Sequence, residues 1–195
     1  KILKRSMRLI LSAAMALLSA GTASAHSFSV ALIAGADAAS DQVQSAVNGF
    51  LVASAENDGH SAETADGHLG GLDVFLTPLP AARASDISGL IGQTFEQYDF
   101  AILLGDATIE ITEQGVGSET VIVRAGVLPA PAQRTRFGQT YRNRFETVPR
   151  DTAAQGYNAA RRIDQAVRAL GEAAQSEDLR AAVAATANGI SWQTN

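Results

Sequence analysis

The stretch from Phe28 to Gly59 constrains the fold of this chain more than any other. It opens with an apolar run, Phe28 to Ala34, which is too short to cross a membrane and is rich in strand-forming residues. A glycine-containing turn, Gly35 to Ser40, leads into a segment whose apolar residues recur at helical spacing: Val43, Ala46, Val47 and Phe50. A strand that is apolar along its whole length is typically buried on both faces, as in a parallel sheet between helices. We therefore predict a central first strand that feeds a crossover helix.

The rest of the chain repeats this alternation of strand and helix. A polar loop is predicted from Asp58 to Gly71, and further strands at Leu72 to Thr77, Phe100 to Leu104 and Glu119 to Arg124. Helices are predicted from Ser85 to Phe95, over a segment that ends near Phe145, from the Asp151-Thr152 cap to Leu170, and from Ser176 to about Ala185. This alternation predicts an α/β fold of three layers, with a mainly parallel sheet flanked by helices. We expect residues 26–195 to form a single α/β domain.

The first 25 residues have the pattern of a secretory signal peptide. The pattern consists of basic residues at the start, an apolar core and a small-x-small cleavage site: Lys1, Lys4, Arg5 and Arg8, then Leu9 to Leu18, then Ala23-Ser24-Ala25. A transmembrane anchor would need a longer apolar run, whereas this one is interrupted by Ser19 and Gly21. We predict export to the periplasm with cleavage of residues 1–25.

Charge and cysteine content exclude several classes of partner. Without the four basic residues of the leader, 11 basic residues face 20 acidic ones, which gives a net charge of −9. An acidic chain without a basic stripe is poorly suited to bind nucleic acid or an anionic membrane surface. The absence of cysteine excludes disulfides, a cysteine nucleophile and the lipid-attachment residue of lipoproteins, so we expect no stable membrane anchor.

Two blocks of residues resemble a known family. The first block is Gly49-Phe50-Leu51 with Ala53 and Glu56-Asn57-Asp58-Gly59, and the second is Phe137, Tyr141, Pro149, Ala153-Ala154-Gln155-Gly156-Tyr157-Asn158-Ala159 and Ala166. In this order, after a signal peptide, they are similar to the start and the C-terminal signature of type I periplasmic solute-binding proteins, the leucine/isoleucine/valine-binding family of ABC transporters. The resemblance covers most of the exported chain. It implies one lobe of such a protein, a small amino-acid-like or carboxylate ligand, and a transporter permease as partner.

The chain also departs from this family. Its members are considerably longer, with two α/β lobes that close on the ligand, whereas this chain runs almost directly from its third strand to the C-terminal signature. The resemblance therefore implies that most of the second lobe is missing. The paired acidic residues that often follow the family's second strand are replaced by Thr77-Pro78-Leu79-Pro80. An alternative function is therefore an accessory protein without a pocket, which binds another protein or itself through the inter-lobe face.

Two loops are candidate ligand-binding sites because each follows a predicted parallel strand. In open parallel sheets, ligands bind beyond the carboxyl ends of the strands, near helix N-termini that suit anions. The candidate ligand-binding residues are Gly35, Asp37, Ala38 and Ser40 in the first loop, and Gly105, Asp106 and Thr108 in the second. In the resembled family these loops contribute to the amino-acid site. The alternative is that they are ordinary strand-to-helix turns, in which Gly, Asp and Ser serve turn geometry.

A metal site is the other candidate. His26 would become the N-terminal residue after cleavage, and the tripeptide Asp-Gly-His occurs at positions 58–60 and 66–68. His26, His60 and His68 would offer nitrogen ligands that suit a metal such as copper. The alternative is a solvated loop, for which Asp-Gly pairs are equally suited.

Motifs of catalysis are absent from the sequence. It contains no Gly-x-Ser-x-Gly elbow, no His-Glu-x-x-His and no phosphate-binding loop. We therefore expect a binding protein without a cofactor rather than an enzyme.

Overall fold

The computed structural model describes residues 27–35, 37–56, 64–79, 98–105, 107, 119–171 and 174–192. Its strands are β1 (Ser27–Ile33), β2 (His68–Leu69), β3 (Leu72–Leu79), β4 (Phe100–Leu103) and β5 (Val121–Arg124). Its helices are α1 (Ser40–Ala55), α2 (Thr135–Phe145), α3 (Asp151–Leu170) and α4 (Ser176–Ala185), with a 3-10 turn at Pro131–Arg134. The predicted signal peptide and the predicted helix from Ser85 to Phe95 lie outside the described residues. No helix within these ranges is both long and apolar enough to cross a lipid bilayer.

The five strands form one sheet in the order β2-β3-β1-β4-β5. β1 pairs in parallel with β3 on one side and with β4 on the other, and β4 pairs in parallel with β5. The chain therefore moves from β1 to one neighbour and then crosses to the opposite side, so the direction of strand order reverses at β1. The predicted α/β fold with a mainly parallel sheet is confirmed.

Both faces of β1 are buried, as its uninterrupted apolar run predicts. Val30 and Leu32 belong to the main core with Phe50 of α1, and all three are 0% exposed. Ala31 and Ile33 point to the opposite face and are also 0% exposed, within a second, smaller cluster. This central strand therefore fixes the position of the turn that follows it.

The predicted polar loop from Asp58 to Gly71 is partly wrong, because its end forms a hairpin. β2 pairs antiparallel with β3, and the turn between them is Gly70-Gly71, with φ values of 65° and 89°. Two residues with positive φ form the tight turn whose twist matches that of paired strands. The loop also carries Leu69, which is 0% exposed, so the hairpin buries an apolar residue as well.

Helices α1 and α3 pack with their backbones in close contact. A Cβ at Gly49 would lie 1.9 Å from the carbonyl oxygen of Ala153, and a Cβ at Gly156 would lie 2.0 Å from that of Ala46. Glycine is required at both positions because any side chain would overlap backbone atoms of the partner helix. The contact joins the middle of α1 to the first two turns of α3, so it sets how closely these two helices pack.

Two buried polar residues of α3 form hydrogen bonds with α4 and with the segment that follows it. The Arg162 guanidinium donates to the carbonyl of Val183 at 2.7 Å and to the Thr186 hydroxyl at 2.9 Å, and burial lowers the pKa of Arg162. Asn158 accepts a hydrogen bond from the Trp192 indole at 2.6 Å. The segment after α4 is therefore held against α3 by specific hydrogen bonds as well as by apolar packing.

Candidate functional site

A cavity of about 280 Å³ opens at the carboxyl ends of β1 and β4. We call it the switch-point cavity, and its lining residues are Ala34, Gly35, Asp37, Ala38, Gln42, Val43, Leu104, Gly105, Thr152 and Gln155. Strand order reverses at β1, and the crevice at such a reversal is where open α/β sheets bind their ligands. The cavity therefore lies at the crevice where folds of this type bind their ligands.

A tight turn follows each of β1 and β4 at the cavity. After β1, the Ala38 amide donates to the carbonyl of Gly35 at 3.0 Å. After β4, Gly105 has a φ of 60°, and a Cβ placed on it would meet no atom within 4 Å. Glycine adopts this left-handed conformation without steric cost and leaves its side of the cavity open. These turns thus expose backbone where a ligand could approach.

The first turns of α1 and α3 meet at this cavity. Gln42 and Val43 line it from α1, and Thr152 and Gln155 line it from α3. Neither helix has a side-chain hydrogen bond at its N-cap, although the Gln42 side chain accepts from the amide of Ala39 at 3.2 Å. The first N–H groups of a helix have no partner within the helix, and they carry the positive end of its dipole. The amides of Gln42 and Val43 both donate to the carbonyl of Ala39, so it is the dipoles of the two helices that favour a ligand with a carboxylate at this cavity.

Six lining residues were not selected by sequence reasoning: Ala34, Gln42, Val43 and Leu104, which adjoin the two predicted loops, and Thr152 and Gln155, which come from α3. The Thr152 hydroxyl oxygen is inaccessible to solvent and has no hydrogen-bond partner in the part of the chain that the structure describes. A buried hydroxyl without a partner is costly, and a polar ligand would remove that cost. The sequence shows that a helix begins after Pro149, but not that this helix starts beside the Gly35 turn.

Ion pairs join the elements around the rim of the cavity. Arg150 pairs with Asp41 and so links the start of α3 to the first turn of α1. The Arg134 guanidinium lies 3.3 Å from the carboxylate of Asp151. Asp37 is exposed on the cavity wall and is the acidic side chain among the lining residues. The cavity thus presents helix N-termini, which attract a negative group, and a carboxylate, which attracts a positive one. Together they suit a ligand that carries one negative and one positive charge.

The structure brings together four of the predicted ligand-binding residues. Gly35, Asp37, Ala38 and Gly105 all line the switch-point cavity. Ser40 is the exposed first residue of α1 and is not part of the lining. Asp106 and Thr108 lie outside the described residues.

The histidines proposed as metal ligands are not brought together by the described residues. His68 lies on β2, and its Nε2 is 2.8 Å from the carboxylate of Asp73 on β3. His26 and His60 lie outside the described ranges. Within those ranges, no group of three or more His, Cys, Asp or Glu side chains is placed to hold a metal ion. The metal site therefore stays a prediction.

Comparison with known proteins finds no matching family model and no matching curated protein. Among solved structures, the chain is matched to the branched-chain amino acid transporter substrate binding protein LivJ from Streptococcus pneumoniae, in complex with isoleucine. The match has 14% sequence identity and a TM-score of 0.26, and it covers 81% of this chain. The chain spans about half of LivJ, since the match covers 49% of that protein.

Proposed function

We propose that this chain is a solute-binding protein that holds a small amino-acid-like or carboxylate ligand in the switch-point cavity without altering it. The observation that carries the proposal is that the first turns of α1 and α3 meet at the point of strand-order reversal. In this proposal the protein works in the periplasm after removal of its leader. It serves as the substrate-binding component of an ABC transporter, or as a shortened relative of one, and hands its ligand to a transporter permease.

The chemistry of the cavity supports a zwitterionic ligand. The ligand carboxylate would lie at the positive ends of the α1 and α3 dipoles, and it would accept a hydrogen bond from the Thr152 hydroxyl after that side chain rotates toward the cavity. The ligand ammonium group would lie near the carboxylate of Asp37. The cavity volume of about 280 Å³ is at the small end of ligand sites, which favours a single amino acid over a nucleotide.

The experiment is a thermal-melt screen of the purified protein with L-amino acids, small carboxylates, Cu(II) and Zn(II). A ligand present at about 100 times its dissociation constant adds about 2.7 kcal/mol to the free energy of unfolding. For a chain of this length that is a rise in Tm of roughly 5 to 10 °C. We expect L-amino acids to raise the Tm more than carboxylates that lack the amino group.

Two variants and a matched control locate the site. Thr152→Val removes the hydroxyl but keeps the shape, and Asp37→Asn removes the charge proposed to hold the ammonium group. Asp178→Asn changes an exposed aspartate in the first turn of α4, away from the cavity. The first two variants should reduce the Tm shift, and the third should leave it unchanged. A shift that all three variants keep would contradict the proposed site, and a shift with copper alone would favour the histidines.

A further inference from the structure

The dipeptide Asn-Gly occurs twice in this chain, at positions 48–49 and 188–189. In this dipeptide the asparagine side chain can react with its own backbone, because glycine has no Cβ to shield the amide nitrogen that follows the asparagine. The reaction needs a backbone that can bring this nitrogen onto the carbonyl carbon of the side chain. Two identical pairs in different surroundings therefore separate the effect of the fold from that of the sequence.

Asn48 and Gly49 lie inside α1, where the backbone cannot rearrange without breaking the helix. Each interior amide of a helix donates to the carbonyl four residues earlier, so the Gly49 nitrogen points along the helix and away from the Asn48 side chain. Gly49 is buried against the Ala153 carbonyl oxygen, from which a Cβ would lie 1.9 Å. The Asn48 side chain is held as well, because its Oδ1 accepts a hydrogen bond from Gln44 Nε2 at 2.9 Å. The fold therefore protects this pair.

Asn188 and Gly189 lie in the turn that follows α4, and both residues are exposed. The Gly189 amide is held by a single turn hydrogen bond, 3.2 Å from the carbonyl oxygen of Thr186. The Asn188 side chain makes no hydrogen bond to the residues that the structure describes. An exposed turn opens at a much lower cost in free energy than the centre of a packed helix, so its backbone reaches the reactive geometry far more often.

We propose that Asn188 is a site of spontaneous deamidation and that the fold protects Asn48 from the same reaction. The Gly189 nitrogen attacks Cγ of Asn188, a C–N bond forms, and the bond from Cγ to Nδ2 breaks, so that Nδ2 leaves as ammonia with the proton of the Gly189 amide. Water then opens the resulting succinimide ring. Cleavage of the new bond yields aspartate, and cleavage of the original peptide bond to Gly189 yields isoaspartate. Either product replaces a neutral amide by a carboxylate.

Isoaspartate would disturb the segment after α4, because this turn lies between two anchored points. The Ala187 carbonyl accepts a hydrogen bond from the Val127 amide at 3.1 Å, and the Trp192 indole donates one to Asn158 at 2.6 Å. Isoaspartate routes the main chain through the side chain and so lengthens it between these points. We therefore expect the Trp192 contact to loosen in that product. Trp192 is the single tryptophan of the chain, so tryptophan fluorescence reports on this segment alone.

The experiment ages the purified protein at mildly alkaline pH and maps the deamidated sites by peptide mass spectrometry, in which each event adds about 1 Da. We expect Asn188 to react at least about tenfold faster than Asn48, because a buried helix opens much more rarely than an exposed turn. In guanidinium chloride both pairs lose their surroundings, so the two rates should converge. Isomerisation of the Asp-Gly pairs leaves the mass unchanged and is therefore not counted.

Two glutamine variants complete the test. Asn188→Gln keeps an exposed amide but lengthens the side chain, which slows ring closure, so the change in tryptophan fluorescence on ageing should disappear. Asn48→Gln is the matched control and should leave that change as it is in the wild type. Equal rates at the two pairs in the folded protein would overturn the proposal, and so would an Asn188 that stays intact in the folded protein while it reacts in the denatured one. Unchanged fluorescence in deamidated protein would contradict the loosening of Trp192.

Discussion

Replacing Gly156 by alanine tests the close contact of α1 and α3. A Cβ at this position would lie 2.0 Å from the carbonyl oxygen of Ala46, whereas ordinary contact begins near 3.4 Å. The obstructing atoms are backbone atoms of a helix and cannot rotate aside, so the two helices must separate by about 1.4 Å, the difference between these distances. The separation loosens an interface in which Ala46 and Ala153 are both 0% exposed.

Two opposing terms set the size of the effect. Overpacking of this kind lowers the free energy of unfolding by about 3 kcal/mol or more. The higher helix propensity of alanine raises it by about 1 kcal/mol. We therefore expect Gly156→Ala to lower the free energy of unfolding by at least about 2 kcal/mol, and the Tm by roughly 4 to 8 °C. Urea denaturation and thermal melts followed by circular dichroism measure both quantities.

Gly138→Ala in α2 is the matched control. A Cβ there would meet Arg142 Nη1 at 3.6 Å and Pro149 Cγ at 4.0 Å, both ordinary contacts. The propensity gain should therefore remain, and this variant should be about 1 kcal/mol more stable than the wild type. If Gly156→Ala is as stable as Gly138→Ala, the helices are not in backbone contact. A Gly49→Ala/Gly156→Ala double variant should lose less than the sum of the single losses, because one separation relieves both clashes.

Two further predictions concern the polar contact between the end of α1 and the middle of α3. The Glu56 carboxylate accepts hydrogen bonds from Tyr157 at 2.7 Å and from Arg161 at 3.0 Å, and the Glu56 and Arg161 side chains are only partly exposed. Glu56→Gln should therefore lower the free energy of unfolding by about 3 kcal/mol, because it leaves the partly buried Arg161 charge without its ionic partner. An unchanged midpoint in urea denaturation would contradict this. Burial and Glu56 raise the pKa of Tyr157, so the folded state keeps a proton that the unfolded chain loses above about pH 10. Stability should therefore fall by up to about 1.4 kcal/mol per pH unit above that pH, and less steeply in Tyr157→Phe; equal slopes would refute the assignment. Since lysine occurs only at positions 1 and 4, tyrosines dominate this alkaline range.

Elements with a strong periodic signal could be predicted from the sequence. The apolar run of β1 and the helical spacing that follows it gave β1 and α1 to within a residue or two. Asp151 and Gly171 correctly bound α3, although Asp151 lies in its first turn rather than at the cap. These elements could be predicted because burial imposes a repeat of two or 3.6 residues on the apolar positions.

The hairpin and the part of the cavity wall that α3 supplies could not be predicted in this way. β2 has only two residues, which is too short for any periodic pattern, and its best signal was the Gly70-Gly71 pair. The Gly35 and Gly105 turns were found because each follows an apolar strand. Thr152 and Gln155 reach the cavity only through the crossing of α3 over α1, a contact between residues about 110 positions apart. The residues next to Thr152 and Gln155 in the sequence do not indicate that α3 crosses α1.

We expect the crossing of α3 over α1 to affect ligand binding as well as helix packing. The contact of Ala46 with Gly156 lies four residues, or about 6 Å, from Gln42 on one wall of the switch-point cavity and from Thr152 on the other. A helix is stiff over one turn, so a separation of about 1.4 Å at the contact should reach the cavity walls almost undiminished, and it would stretch a hydrogen bond of about 2.9 Å beyond its range. We therefore expect Gly156→Ala to weaken binding of the amino acid found by thermal screening about tenfold or more at temperatures where the variant is folded, while Gly138→Ala keeps the wild-type affinity. Equal affinities, measured by calorimetry, would show that α3 does not form a wall of the site.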